Sequence, residues 1–469
     1  MTIFSSLKKP APAGKGLEEV AVAVTNSKRS PKDVAALLAA ASCALTAQNA
    51  SADWSFDVAT LLYQESDGRV SAIEPVISAK QEIDSETSLS IKVVGDTLTG
   101  ASPNGATPST TAQTFTRPSG QAGYTSAANT TPLDPSFKDT RGALSVNWVA
   151  PIDRDWAYSL GGYGSVEHDY ASFSGNGSLS RYFDQKNTTL TLATSLGLDI
   201  VSPEGGAPTG LSDISTTNNY SDDDDDDHGE DSDHDDDDHE GGEGDDGKTK
   251  LLVDGMVGIT QILNRQTLMQ FNYGLSYSSG YLTDPYKFLS VIDTTAGSNY
   301  GGNYQLNSSN LYVYEKRPDS RVKQSLYWQT KHQFDNRDIF NISYRYMWDD
   351  WGIQSHTVDT KYRLRFEHLY FEPGVRWYTQ SAADFYRRYL TNTNYQSVSY
   401  ATADYRLGEL DTLTYSLRVG YKFASGNELY GKVSLYEQTS KGDNGFGKLT
   451  SQNLYPSMQA YMLTVGYYF

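Results

Sequence analysis

From Asp53 onward apolar and polar residues alternate with a period of two. This spacing sends successive side chains to opposite faces of a β-strand. The second half of the chain shows it best. Phe340, Ile342, Tyr344, Tyr346 and Trp348 share one face, and Asn341, Ser343 and Arg345 share the other. Val358, Tyr362, Leu364 and Phe366 oppose Asp359, Lys361, Arg363 and Arg365. Leu413, Tyr415, Leu417, Val419, Tyr421 and Phe423 oppose Thr414, Ser416, Arg418 and Lys422. One face is aromatic and apolar, the other charged. A soluble sandwich alternates too, so strand length and connections have to decide.

Segments of ~10 to 14 residues match a tilted membrane strand. Sixteen can be delimited, over 54–64, 70–80, 87–98, 140–150, 155–169, 178–184, 188–200, 250–263, 267–281, 321–334, 338–349, 354–366, 370–382, 412–423, 428–440 and 458–469. The segment 178–184 is required by the parity of the two ends more than by its own pattern. Counts of about fourteen or eighteen strands stay open. Short connections fall at Glu82–Glu86, Asp153–Asp155, Asp184–Asn187, Asn264–Thr267, Asp335–Asp338, Glu367–Leu369 and Ala424–Asn427. Long ones fall at Thr99–Asp139, Ser202–Lys248, Thr283–Ser320, Arg387–Thr412 and Lys441–Ser457. Short periplasmic turns alternating with long outer loops are the rhythm of outer-membrane barrels. The predicted fold is all-β: a transmembrane, antiparallel, up-and-down β-barrel of about 16 strands spanning residues 53–469.

The last strand is the most specific signal. Tyr461, Leu463, Val465 and Tyr467 alternate up to an aromatic terminus, Phe469. This is similar to the signal that the outer-membrane assembly machinery reads, so that machinery and outer-membrane lipid are the expected partners. At the other end, Lys8, Lys9, Lys15, Lys28, Arg29 and Lys32 form a basic stretch before an apolar run at Val34–Ala47. That run has the length of a signal-peptide core and is too short to span. Cleavage after Ala50-Ser51-Ala52 makes residues 1–52 an export signal for the Sec pathway. The competing reading is a lipoprotein signal cut before Cys43, for which Ala40-Ala41-Ser42 is a poor match. Either way the destination is the envelope of a Gram-negative bacterium.

Composition refines this picture. The chain has 34 Tyr and 40 Gly with a mean hydropathy of −0.54, which suits strands that are greasy on one face only. No apolar stretch of ~18 residues outside the N-terminus is available for a spanning helix. Cys43 is the only cysteine, so no internal disulfide forms. The net charge of −20 is local, because residues 222–246 carry 17 Asp and Glu. Removing them leaves 58 − 17 = 41 acids against 38 Lys and Arg, and nothing points to nucleic acid.

That acidic segment, 221–247, is predicted as an outer loop too polar to bury anything. Asp222, Asp224, Asp226, His228, Asp231, Asp233, His234, Asp236, His239 and Glu240 are candidate ligands for weakly held divalent cations. Carboxylates suit Ca, and interspersed imidazoles suit Zn, Ni or Cu. Asp224-Asp226-His228-Gly229 approaches the start of an EF-hand without completing one. The alternative is a solvated, self-repelling stretch that keeps the mouth hydrated. No cofactor is required.

Three segments resemble a known family: Val94-Gly95-Asp96-Thr97-Leu98-Thr99-Gly100-Ala101-Ser102-Pro103-Asn104-Gly105, Trp348-Asp349-Asp350-Trp351-Gly352 and Ala403-Asp404-Tyr405-Arg406-Leu407. From about Ala52 to Phe469 the chain is similar to a group of Gram-negative outer-membrane barrels known as a domain of unknown function, DUF3570. The resemblance implies outer-membrane location. It also implies gene neighbours that attach flavin or resemble thioredoxin, and hence periplasmic redox proteins as partners. It brings no catalytic residues, and the acidic segment looks like an insertion in this member.

Strand parity assigns a lumen face. In the C-terminal half Lys323, Lys331, Arg345, Lys361, Arg363, Arg365, Arg376, Arg418, Lys422 and Lys432 point inward with few acids. In the N-terminal half Asp57, Glu74, Asp96, Asp199 and Asp254 do, with Lys92. Opposed walls of this kind would hold a field across the lumen. The lumen is then either a polar, solute-selecting pore or a space filled by salt bridges or by the loops 99–139 and 283–320. The expected function is accordingly a pore for small polar or ionic solutes. The alternative is a non-conducting barrel that scaffolds periplasmic or surface redox proteins. A hydrolase is a distant third. Its only candidate set is Asp349 and Asp350 with His356, more simply read as a tight outer turn with a belt tryptophan, Trp348 and Trp351, on each side. His168, His332 and His368 are isolated, and no phosphate loop, Cys cluster or Ser-His-Asp spacing is present, so the chain is expected not to be an enzyme.

Overall fold

A computed structural model describes residues 54–116, 123–203, 206–214, 247–297 and 299–469. The predicted export segment with Cys43, and all ten candidate metal ligands between Asp222 and Glu240, lie outside the described residues.

Sixteen strands form the wall: β1 (Trp54–Glu65), β2 (Ser71–Glu82), β3 (Ser88–Pro103), β4 (Leu133–Pro151), β5 (Trp156–Val166), β6 (Tyr170–Phe183), β7 (Thr188–Val201), β8 (Lys248–Asn264), β9 (Thr267–Gly280), β10 (Ser320–Gln333), β11 (Ile339–Asp349), β12 (Gln354–Arg365), β13 (Leu369–Gln380), β14 (Glu409–Lys422), β15 (Glu428–Lys441) and β16 (Met458–Tyr468). Each pairs antiparallel with its neighbours in sequence, and β16 returns to β1 to close the barrel. Closure leaves no unpaired edge, the condition a sheet must meet in lipid. At the seam the Phe469 and Phe56 backbones exchange hydrogen bonds of 2.7 and 2.9 Å, and their rings stack at 5.3 Å.

All sixteen predicted segments are strands, with shifted ends. The segment expected over 155–169 stops at Val166, and the chain turns over 167–169. Strand β6 then begins at Tyr170, well before the predicted 178. Its Ser- and Gly-rich sequence hides it, yet Phe173↔Leu198 and Leu179↔Leu192 fix its register on the outer face. Strands β3 and β4 extend past the predicted ends, which shortens that loop to 104–132. The loop expected over 387–412 occupies 381–408.

Seven connections at one end of the barrel are two to five residues long, and the five long loops all sit at the other end. By the rule for such barrels the short-turn end is periplasmic. Leu326 and Val433, in mid-strand, point outward and are more than half exposed by the protein itself. Aromatics ring both ends, with Tyr421–Phe423 and Phe366–Phe371 at the inner edge and Tyr346–Trp348 at the outer. An apolar band between aromatic girdles is covered by lipid. The chain is an outer-membrane β-barrel.

The protein's apolar core is not in the wall. It lies in a body built by the long loops. Phe288–Ile292 is a fully buried strand with Tyr312–Tyr314 antiparallel on one side and Leu390–Thr391 parallel on the other. Leu289, Val291, Ile292, Val313 and Leu390 have no exposed surface. Phe115, from a hairpin in the 104–132 loop, packs on Phe288 and Tyr312, and Leu449 and Leu454 pack on Ile292. Each such side chain contributes ~1.5–3 kcal/mol on burial.

Candidate functional site

The loop body is seated in the outer mouth. The Lys287 ammonium donates to Pro103 O at 2.5 Å, and Gln380 Nε2 donates to Arg406 O and Gly408 O. Tyr405 descends to face Tyr63 and Tyr436. Inward polar groups near the outer strand ends are accordingly buried, among them Asp96, Asp139, Asp199, Thr357, Thr412 and Gln438. The loops 104–132 and 281–319 thus do turn inward, and 381–408 joins them.

The body is held by buried ions. Asp404 accepts from Arg406 at 2.8 Å and from Arg317 at 2.8 Å, and Arg317 also reaches Glu315 at 2.7 Å. Arg406 extends to Asp284 at 2.9 Å. Burial alone would raise Asp404, but Arg406, Arg317 and Lys287 outweigh it and hold the carboxyl well below the usual range. For Glu315 burial prevails over Arg317 and pushes it up to about 7. Lys287, fully enclosed, is pushed down by burial.

The three segments that carried the family resemblance converge on this body. Gly105 has φ +102°, and a Cβ there would sit 2.2 Å from Phe288 O. Gly352 has φ +83°, with Asp384 where a side chain would go. Asp404 is the centre of the ion network. Trp351 corrects its expected belt role: it is buried against Phe385, with its indole N–H donating to Ser320 O at 2.8 Å.

Below the body the lumen is reached by solvent. Lys361 is 38% exposed, Asp359 25% and Arg418 30%. Long inward side chains here lie over glycines of the next strand. A Cβ at Gly420 would meet the Tyr370 ring at 2.2 Å, and one at Gly466 the Tyr430 ring at 2.3 Å. Arg363 stacks on Tyr370 at 4.4 Å and Arg418 on Tyr430 at 3.9 Å. Tyr430 donates to Asp57 at 3.0 Å. Arg345 sits opposite Thr357, and Arg376 opposite Asp359. Arg365 lies exposed at the inner edge, where its backbone N–H donates to Asp338 at 2.9 Å.

The opposed-wall picture needs correcting. Asp199 is taken by Lys250 at 3.0 Å, and Asp96 by Arg141 at 2.8 Å; both acids are buried at the outer rim. Asp254 accepts from Ser276 at 2.6 Å, and Glu74 faces Asp96, Arg141 and Lys92. Asp96 and Asp199 are thus ion-paired where they stand, whereas Asp254 and Asp57 accept from hydroxyls, so the acidic wall is neutralised only in part. Sequence parity also passed over Glu372 and Glu428, which pair with Arg363 at 2.5 Å and Arg418 at 3.2 Å. Registers counted out from the turns at 366–368 and 423–427 bring these residues together.

Tyr461, Leu463 and Val465 point outward on β16, with Tyr467 stacked on Phe469. The hydrolase set does not assemble. Asp349 faces inward onto Arg321, whereas His356 faces outward and meets the Tyr344 hydroxyl at 2.8 Å. His332 hydrogen-bonds Thr267 at 2.9 Å, His368 sits beside Tyr421, and His168 lies in the turn at 167–169.

The profile of a family described as "Protein of unknown function (DUF3570)" matches residues 34–469, starting inside the segment read above as the export signal. No curated protein matches the chain. Among solved structures, a CymD monoaromatic hydrocarbon channel is similar at 9% identity, with 88% of this chain and 87% of that one covered and a TM-score of 0.36. OccK2 (OpdF) of Pseudomonas aeruginosa in complex with glucuronate gives 9%, 89%, 98% and 0.37 in the same order. OmpT of Vibrio cholerae, an outer membrane protein, gives 10%, 89%, 97% and 0.37.

Proposed function

The chain belongs to the family DUF3570, and from its geometry we propose that it is an outer-membrane channel for small polar or ionic solutes, with its outer mouth governed by the loop body. One observation carries this reading: the inward charges of β12 to β15 stay open to solvent beneath the body, forming a polar chamber inside a closed wall. A sixteen-stranded barrel has room for an aqueous path. The acidic segment 221–247 joins the outer ends of β7 and β8, and its proposed role is to gather divalent cations at the mouth. Transport rather than catalysis is in keeping with Asp349 and His356 facing opposite sides of the wall.

A second reading, a non-conducting barrel that holds periplasmic or surface redox proteins, is favoured by the filled mouth. Single-channel recording of the purified protein in planar bilayers separates the two. The channel reading expects steady conductance that rises when the loop 381–408 is shortened. Silence in both forms, with a partner co-purifying from the envelope, supports the scaffold.

A further inference from the structure

The basic wall is organised. Lys331 on β10, Asn341 on β11 and Lys361 on β12 lie side by side in register. A Cβ at Gly374 would sit 3.2 Å from Lys361 Cγ, so the bare backbone of β13 is what lets the Lys361 stem lie across it. Lys432 on β15 lies within electrostatic reach of Lys361 and Arg418 and of the acids Asp359 and Glu372, and Lys331 within reach of Lys361, Arg363 and Glu372. Three ammonium groups from three strands therefore share one neighbourhood of the inner chamber.

Nearby acids do not balance them. Asp359 is engaged by Lys361 at 3.1 Å, Glu372 by Arg363 and Glu428 by Arg418. Among the described residues Lys331 and Lys432 make no ion pair. Like charges held together within a low-dielectric shell repel, and an anion between them relieves that cost. Lysines bind such groups as point charges, without demanding the fixed geometry of an arginine fork. The low-dielectric wall focuses their field into the chamber.

We infer that Lys331, Lys361 and Lys432 form an anion site in the inner chamber, taking small solutes that carry carboxylate or phosphate. This rests on the channel reading for its role in transport, while the binding stands by itself. Full-length protein in bilayers under a KCl gradient should give a reversal potential of the sign that marks chloride as the more permeant ion. The combined variant Lys331→Gln, Lys361→Gln, Lys432→Gln should lose that preference several-fold while remaining heat-modifiable. The single variant Lys92→Gln, on the other wall, should leave it nearly unchanged. Calorimetric titration of sodium citrate into the solubilised protein at low salt should show binding that the triple variant loses. If the triple variant does not insert, Lys432→Gln alone carries the comparison. Conductance with a cation preference, or an anion preference equal in wild type and variant, overturns the site and leaves the channel. Silence in bilayers together with citrate binding that needs the lysines overturns the channel and leaves the site. Silence without citrate binding overturns both.

Discussion

In the wall, Leu326 and Val433 point away from the protein and are more than half exposed; in the loop body, Leu289, Val291 and Leu390 point into it and are wholly buried. The charges invert as well. Wall charges such as Lys361 and Arg418 face a hydrated chamber, whereas Asp404 and Glu315 in the body are sealed from water against Arg317 and Arg406. The wall thus depends on lipid to cover its apolar side, and the body supplies its own cover. One chain holds two regions obeying opposite rules of sidedness, and the same substitution should act differently in each.

The largest effect is expected at the seam. Deleting Phe469 removes the two backbone hydrogen bonds to Phe56 and the ring stack that ends the closure. Heat-modifiable, membrane-inserted protein should fall sharply, because the closing strand loses its last pairing with β1 and its aromatic terminus. Normal yield from the shortened gene would break the view that the wall is completed there.

Next comes a paired leucine test. Leu289→Ala should destabilise the body by ~2–5 kcal/mol, seen as faster proteolysis of the outer loops with the wall intact. Leu326→Ala should do little, since lipid fills the space. Leu326→Arg, a charge facing lipid in mid-strand, should cost ~2–4 kcal/mol in denaturant titrations of the inserted barrel. Leu364→Arg should cost only ~0–1 kcal/mol, because Leu364 stands one residue from the inner end of β12. Equal responses from Leu289→Ala and Leu326→Ala would erase the contrast.

Smaller is the response to pH. Glu315 is raised from 4.5 to about 7 in the folded body, chiefly by burial. Its contribution is complete below the unfolded value and is lost as pH climbs through the folded one. Amide exchange of Phe288–Ile292 should therefore quicken between pH 5 and pH 7 in wild type, after correction for intrinsic rates. Glu315→Gln should flatten that trend. A wild-type protein whose corrected exchange does not change over this window would show that Glu315 stays ionised in the body.

Least affected should be the deletion of residues 221–247. Loop-closure entropy grows only logarithmically, so barrel stability should scarcely move. Divalent-metal uptake, read by calorimetry in the same detergent, should largely disappear. In the intact protein zinc or nickel uptake should weaken near pH 5 as His228, His234 and His239 protonate, and calcium uptake less so. Equal uptake by intact and deleted protein would move the cation site elsewhere.

The wall was legible because each strand states its two faces locally. Even β6, whose Ser and Gly residues carry little apolar signal, was demanded by the parity of the ends, although its start at Tyr170 was not. The inward lysines and arginines followed from that same alternation. Their acidic partners Glu372 and Glu428 did not, since pairing depends on register across strands rather than on period within one. The loop body was illegible for a related reason. Phe288–Ile292, apolar but for Ser290, is buried on both faces and so shows no alternation, and one of its partners comes from a distant loop. The Ala403–Leu407 segment stands out in the sequence through its family resemblance, but nothing local says that Asp404 meets Arg317.

The wiring of the mouth also sets an order in time. Nearly every pairing in the wall joins adjacent strands, so hairpins can add one after another. The mouth is wired otherwise: Asn392 meets Asp293 across 99 residues, and Arg388 donates to Gly105 O across 283. Bringing such distant stretches together costs closure entropy that the standing wall has already met for them. Closure entropy therefore favours an order in which the strands that frame the mouth come first and the links that fill it come last.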